Sequence, residues 1–307
     1  MPLSRTTELE LGLVVAAHGR HVMVETPAGR RLLCHPRGKK SVLVVGDQVR
    51  WMPLGDGADA EGVIEHLEPR RNLLFRQDEW KTKSFAANID LLLVLVAGEP
   101  MFGESQLARA LIAAEDAGID SLIGLNKTDL PVAASARARL APYVAMGVPV
   151  LEMSLKSGRE ESLARLASAL AGRKTLVLGP SGSGKSTLVN AVVPHADAQV
   201  GEISRALKAG RHTTTATRLY WLDEARSAAL IDSPGFQEFG LRQLEPVALA
   251  ALMPDLRAQL GGCRFNNCSH RQEPGCAVQS AVARGEIAAS RYRLYGEIHE
   301  ELSRKAW

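Results

Sequence analysis

The octapeptide Gly179-Pro180-Ser181-Gly182-Ser183-Gly184-Lys185-Ser186 stands between an apolar run, Thr175 to Leu178, and a segment of helical spacing, Lys185 to Val193. In that setting the pattern G-x-x-x-x-G-K-S requires a strand, a tight loop and a helix in succession. The glycines let successive backbone N–H groups turn toward one anion, and the helix N-terminus adds its dipole. Lys185 is expected to reach the β- and γ-phosphates of a nucleotide, and the Ser186 hydroxyl to ligate Mg²⁺. Thr187 closes the stretch of candidate nucleotide contacts. The loop does not choose between ATP and GTP, and it also fits a metabolite kinase.

The surrounding pattern agrees with a layered α/β sheet. Ile89 to Ala97 is a continuous apolar run, suited to a strand buried on both faces. Gln106 to Ala117 has helical spacing and Leu122 to Leu125 reads as a strand. Alternation continues through Val132 to Met146, Val148 to Met153 and Glu161 to Ala171. Such alternation argues for a mostly parallel sheet.

Three further segments point to guanine. Asn126-Lys127-Thr128-Asp129 follows the strand Leu122 to Leu125 and resembles the N-K-x-D motif of GTPases. A carboxylate at Asp129 can accept from guanine N1–H and from its exocyclic amine, and adenine offers no such pair. Ser154-Leu155-Lys156 resembles the S-A-K motif, with Leu155 in place of Ala. Asp232-Ser233-Pro234-Gly235 follows the apolar run Ala228 to Ile231 and resembles D-x-x-G. Asp232 would hold Mg²⁺ through water, and the Gly235 N–H would sense the γ-phosphate. Between them lies Gly210-Arg211-His212 followed by three threonines, of which Thr214 is the expected Mg²⁺ ligand. Phe236 stands where many GTPases carry a water-orienting Gln, so intrinsic hydrolysis is expected to be slow. His212 is the candidate for positioning water.

The order of these motifs is unusual. Asn126 precedes Lys185, whereas in ordinary GTPases the phosphate loop comes first. The chain reads as a circular permutation, which an α/β sheet tolerates when its termini lie close together.

Cys263, Cys268, His270 and Cys276 fall within fourteen residues, in the spacing C-x4-C-x-H-x5-C. Three thiolates and an imidazole suit a closed, tetrahedral, structural Zn²⁺ site. Cys34, beside His35, reads as a core thiol. The flanking segments Glu245 to Leu260 and Ala277 to Leu302 read as amphipathic helices carrying Arg284, Arg291, Arg293 and Arg304.

The first 75 residues show short β-branched runs: Leu9 to Ala16, His21 to Thr26, Arg31 to Cys34, Val42 to Trp51 and Gly62 to Leu67. Their spacing predicts a small all-β barrel. Arg30, Arg31, Arg37, Lys39 and Lys40 cluster without an intervening acid and are candidate RNA contacts. Arg76 to Ser84 reads as a charged linker. The net charge of +3 over 307 residues permits an RNA partner without demanding one. The longest strongly apolar run is about ten residues, against about 20 for a membrane span. With no apolar leader at the N-terminus, a cytoplasmic protein with no membrane partner is expected.

Taken together, NKTD at 126–129, GPSGSGKST at 179–187, GRHTTT at 210–215, DSPGF at 232–236 and CRFNNCSHRQEPGCAV at 263–278 resemble the RsgA (YjeQ) family of small-ribosomal-subunit-dependent GTPases. The resemblance covers essentially the whole chain. It implies an N-terminal OB-fold over residues 1–75, a circularly permuted G domain over 84–240 and a zinc-binding helical domain over 241–307. It also implies GTP and GDP as ligands, the small subunit and its rRNA as partners, and a role in late maturation of that subunit, with hydrolysis stimulated by the subunit and linked to release. A monomer is expected. A nucleotide-gated rRNA scaffold with incidental turnover is the alternative.

Overall fold

The computed structural model describes residues 9–18, 21–38, 43–55, 61–78, 82–193, 217–234 and 239–304. Of the expected site residues, Lys39, Lys40, His212, Thr214 and Gly235 lie outside the described residues, as does Phe236.

Strands β1 (Glu10–His18), β2 (His21–Glu25), β3 (Arg31–Pro36), β4 (Gln48–Leu54) and β5 (Glu61–Leu67) form a closed barrel in the order β1-β2-β3-β5-β4, with β4 returning to β1. The β3–β5 pair is parallel and the others antiparallel. Closure leaves no free edge within the barrel, as in an OB-fold. Val14, Val22, Val24, Leu32, Val49, Trp51 and Ile64 fill it. Gly62 makes room for Trp51, because a Cβ there would lie 2.7 Å from the indole ring and 2.6 Å from Cys34 Sγ. Cys34 is a core thiol, its pKa pushed up to about 12 by burial. The strand expected over Val42 to Trp51 begins only at Gln48. Gly46 sits at φ +92°, and the buried Asp47 carboxylate accepts from Val44 N–H at 2.8 Å and from Arg70 at 2.7 and 2.8 Å. That turn interrupts the apolar run.

The expected linker at Arg76 to Ser84 is instead part of a hairpin. β6 (Leu73–Gln77) pairs with β7 (Thr82–Ala87), setting Arg76 opposite Lys83. Leu74 and Phe85 supply its buried side. The flanking charges conceal a strand whose apolar face is only a few residues long.

The α/β portion carries β8 (Leu91–Ala97), α1 (Glu104–Asp116), β9 (Asp120–Asn126), α2 (Ala133–Ala145), β10 (Val150–Glu152), α3 (Arg159–Leu170), β11 (Lys174–Leu178), α4 (Lys185–Val192), β12 (Thr217–Trp221) and β13 (Ala229–Asp232). The strand order is β10-β9-β8-β11-β13-β12, parallel except for β12. Every residue of β8 is buried, as a central strand covered by helices on both faces requires. Leu92, Val94 and Val96 join α1 and α2 on one face. Leu91, Leu93 and Leu95 join α3 and α4 on the other. β12 was not expected from the apolar pattern, because Thr217 and Arg218 break it.

The C-terminal portion departs from two long helices. Pro246–Leu252 is a 3-10 turn, followed by α5 (Pro254–Arg257), α6 (Ala277–Ala283) and α7 (Ala289–Ser303). Pro254 supplies no N–H and holds Met253 extended, which ends the first segment. Gly285, at φ +77°, ends the second. Met253, Leu256, Val278, Tyr295 and Ile298 share a core with the α1 face of the sheet. Arg291 does not face solvent. It is 3% exposed, pairs with Asp255 at 2.9 Å and lies over the Tyr143 ring at 4.9 Å.

β1 continues the sheet beyond β12 through Ala16–Arg218 and Ala17–Thr217. Glu25, 4% exposed, secures that junction. It accepts from Trp221 Nε1 and Arg31 Nε at 2.7 Å each and lies 3.5 Å from Arg226 Nη1. Removing a partner from a buried ion pair is strongly destabilising, because the charge left behind is desolvated and uncompensated. Glu25→Ala is expected to lower the unfolding free energy by about 3 kcal/mol, because it leaves the indole N–H of Trp221 and the partly buried Arg31 guanidinium without their acceptor. Urea denaturation reads this as a lower midpoint, and an unchanged midpoint would refute the tie.

Candidate nucleotide and metal sites

Parallel strands bring their carboxyl ends to one edge, so the loops after β9, β10, β11 and β13 converge. These loops hold Asn126 to Asp129, Ser154 to Ser157, Gly179 to Gly184, and Asp232 to Pro234. Motifs far apart in sequence thus form one rim.

Asn126, 3% exposed, joins three of the loops. Its Nδ2 donates to Ser183 O at 3.0 Å and its Oδ1 accepts from Leu155 N–H at 3.4 Å. Gly184 adopts φ +99°, and a Cβ there would collide with the Asn126 amide, so this position requires glycine twice over. Lys127 adopts φ +61° and reaches Glu99 O with Nζ at 2.7 Å. Thr128 donates to Met153 O from both N–H (3.2 Å) and hydroxyl (3.0 Å), tying this loop to the end of β10.

Asp129 is exposed at the rim. Ser154 Oγ donates to its Oδ1 at 2.7 Å and Ser157 Oγ to its Oδ2 at 2.9 Å. The Ser154 bond, then the Ser157 bond, hold its carboxyl below the usual range, so it stays ionised. Ser154 is fixed in turn, its N–H donating at 3.0 Å to the hydroxyl of buried Ser162. Neither Ser157 nor Ser162 stood out in the sequence, where a turn serine and a helix serine carry no periodic signal.

Lys185 Nζ donates to Asp232 Oδ1 at 2.7 Å, with the side chains 12% and 13% exposed. This contact joins the phosphate loop to the end of β13. Ser186 and Thr187, in the first turn of α4, are exposed, and Gly179, Pro180, Ser181 and Gly182 complete the loop before Ser183. The Ser183 hydroxyl is buried and finds no partner among the described residues. Ser186 Oγ and Asp232 offer hard oxygen donors of the kind Mg²⁺ accepts.

The ligand atoms of Cys263, Cys268, His270 and Cys276 lie within 4.8 Å of one another. His270 Nδ1 is 3.5 Å from Cys263 Sγ and 3.6 Å from Cys276 Sγ. The loop is anchored from α7: Tyr292 OH donates to His270 O and Tyr295 OH to Ser269 O, each at 2.7 Å. Glu273 accepts from the N–H groups of Ser269, Arg271 and Gln272. Burial pushes the Cys268 thiol up to about 12, and the neighbouring thiols add to it. Cys263 is shifted the opposite way: burial opposes ionisation, but donation from Ala277 N–H and the adjacent thiols outweighs it. Burial also holds His270 below its ordinary pKa, hence neutral and able to offer Nδ1. A cation would remove the repulsion among crowded thiolates, so the donor set fits a metal ion.

Of the candidate RNA contacts, Arg37 is 71% exposed and lies 3.1 Å from Glu65, while Arg30 is exposed before β3. Arg31 is committed to Glu25 at the barrel junction.

The RsgA GTPase family model matches residues 67–242. The chain is 57% identical over 301 residues to the small ribosomal subunit biogenesis GTPase RsgA of Variovorax paradoxus, covering 96% of this chain and 93% of the relative. It is 51% identical to the protein of the same name from Burkholderia pseudomallei (strain K96243), covering 98% and 95%. Among solved structures it is similar to YjeQ from Thermotoga maritima, with TM-score 0.74, 30% identity and coverage of 97% and 100%. It shares its fold with the circularly permuted GTPase YloQ, with TM-score 0.71, 24% identity and full coverage of both chains.

Asn126→Ala is expected to unlink three loops at once and to leave Ser183 O and Leu155 N–H without their partner. The thermal midpoint should fall by an amount equivalent to about 2 kcal/mol, with weaker nucleotide binding. Unchanged binding would show that the rim does not depend on this amide.

Proposed function

The chain belongs to the RsgA GTPase family, and on that footing we propose that it acts in late maturation of the small ribosomal subunit. In this reading it binds the subunit in the GTP state and leaves after hydrolysis stimulated by that subunit. The activity itself, GTP hydrolysis, follows from the family. The observation that carries the reading is the Asn126 bridge, which sets a guanine-type loop against the phosphate loop.

Asp129 would select the base, and the loop 179–187 would hold the phosphates with Lys185 at their charge. Mg²⁺ would be held by Ser186, Thr214 and Asp232, and would neutralise charge on the phosphates. Gly235 N–H would sense the γ-phosphate and His212 would position water. Phe236 cannot do so, and slow intrinsic hydrolysis is expected until a partner or another side chain completes the site. In the Cys263, Cys268, His270 and Cys276 cluster the metal is read as Zn²⁺, structural and single per chain.

The route from nucleotide to partner is supported by the segment beyond Asp232. Gln77 N–H donates to Gly240 O at 3.2 Å, Arg242 N–H to Gln77 O at 3.0 Å, and Gly240 N–H to Asp78 Oδ1 at 3.0 Å. Phe239 stacks on Phe85 with centroids 5.6 Å apart. Arg109 links Phe239 O to Glu301 on α7. The stretch from Phe239 to Arg242 thus touches both the β6–β7 hairpin and, through Arg109, Glu301 of α7. The domains would divide as 1–75, 84–240 and 241–307, the barrel meeting rRNA through Arg30 and Arg37 with Lys39 and Lys40. A monomeric, cytoplasmic factor fits this reading, and no helix among the described residues is long and apolar enough to cross a membrane.

GTP hydrolysis measured with and without purified small subunits should rise sharply with them. Unstimulated turnover despite tight binding would favour the nucleotide-gated scaffold, and equal competition by ATP would favour a metabolite kinase. His212→Ala is expected to lower stimulated turnover by about a hundredfold. Elemental analysis should find zinc in the native chain and lose it in Cys263→Ser; an unchanged zinc content would refute the assignment.

A further inference from the structure

We propose that Ser157 is a positioning residue for base selection: together with Ser154 it fixes the plane of the Asp129 carboxylate, so that both oxygens meet the two donors on the edge of guanine. The proposal rests on the reading of Asp129 as the guanine acceptor.

An ionised carboxylate offers about four acceptor sites, two on each oxygen. Ser154 Oγ takes one on Oδ1 and Ser157 Oγ takes one on Oδ2. Neither oxygen is saturated by its serine, and guanine presents two donors, N1–H and the exocyclic amine. Hypoxanthine presents N1–H alone.

The terminal torsion of an Asp side chain is broad, and Asp129 is exposed. A single tether at Oδ1 would leave Oδ2 free to swing out of the base plane. A second tether, on the other oxygen, removes that freedom. Ser157 is also placed by Ser154, since its N–H donates to Ser154 Oγ at 3.2 Å. Ser154 in turn is held by buried Ser162 through the bonds at its N–H (3.0 Å) and C=O (3.3 Å). The chain of contacts thus runs from the interior of α3 to the rim. Bonds between exposed groups add little to folding, so the consequence of the Ser157 tether falls on the ligand. The lowered pKa of Asp129 is consistent with the same pair of donors.

The test uses the full chain with Mg²⁺ and compares dissociation constants for GDP, IDP and ADP. The wild-type chain should prefer GDP to IDP. Ser157→Ala should shrink the GDP/IDP preference by about fivefold, the scale of one weakened charge-assisted hydrogen bond, with IDP binding nearly unchanged. Ser157→Thr, which keeps the hydroxyl, should restore it. A preserved GDP/IDP ratio in Ser157→Ala would overturn the proposal. So would an equal loss of affinity for both nucleotides, which would mark a general distortion of the loop. Failure of the wild-type chain to prefer GDP over ADP would instead overturn the reading of Asp129 itself.

Discussion

One buried carboxamide holds the nucleotide rim together. Asn126 ends β9, and its amide reaches the phosphate loop on one side and the Ser154 loop on the other. A buried amide must be matched by partners on both its nitrogen and its oxygen. Those partners belong to loops separated by tens of residues, so the amide dictates their spacing. Gly184 follows from this contact, because any side chain there would occupy the space of the Asn126 amide. Lys185 then meets Asp232 from the first turn of α4. The rearranged motif order is tolerated because these cross-loop contacts, rather than chain continuity, define the rim.

What could be read from the sequence was what periodicity and fixed spacing encode. β8, β9 and β11 are apolar enough to announce themselves, and the motif loops take their places from them. The metal cluster is legible because its four donors lie close in sequence. Features that depend on a partner brought from elsewhere were hidden. β12 carries Thr217 and Arg218 and acquires its identity only between β13 and β1. The β6–β7 hairpin looks like a charged linker until Phe85 meets Phe239. Arg31 counts as a basic surface residue in sequence and as the partner of a buried acid in the fold. Ser157 matters through Asp129, 28 positions away, and no local pattern marks it.

The C-terminal portion shows how short elements are kept in place. A 3-10 turn, the one-turn α5 and the seven-residue α6 are too short to stand alone. They borrow the α1 face of the sheet as their core. The Arg291–Asp255 pair sits inside that packing and joins α7 to α5. The cysteine loop packs against the same core through Cys263, Cys268 and Cys276 and is tethered through Tyr292 and Tyr295 to α7. A metal ion held by that loop would add its binding free energy to this packing.

The strand order also has a consequence for the growing polypeptide. β9 and β10 pair on one side of β8 soon after it is made, but the neighbour on its other side is β11. Nearly eighty residues separate the end of β8 from the start of β11. At ordinary elongation rates that interval lasts roughly four to fifteen seconds. For that time the most apolar strand of the sheet has one edge without a partner, the kind of edge that recruits other chains. The motif order that lets distant loops share one rim thus moves a hazard into biosynthesis. That edge closes only once β11, the strand immediately preceding the phosphate loop, has been made.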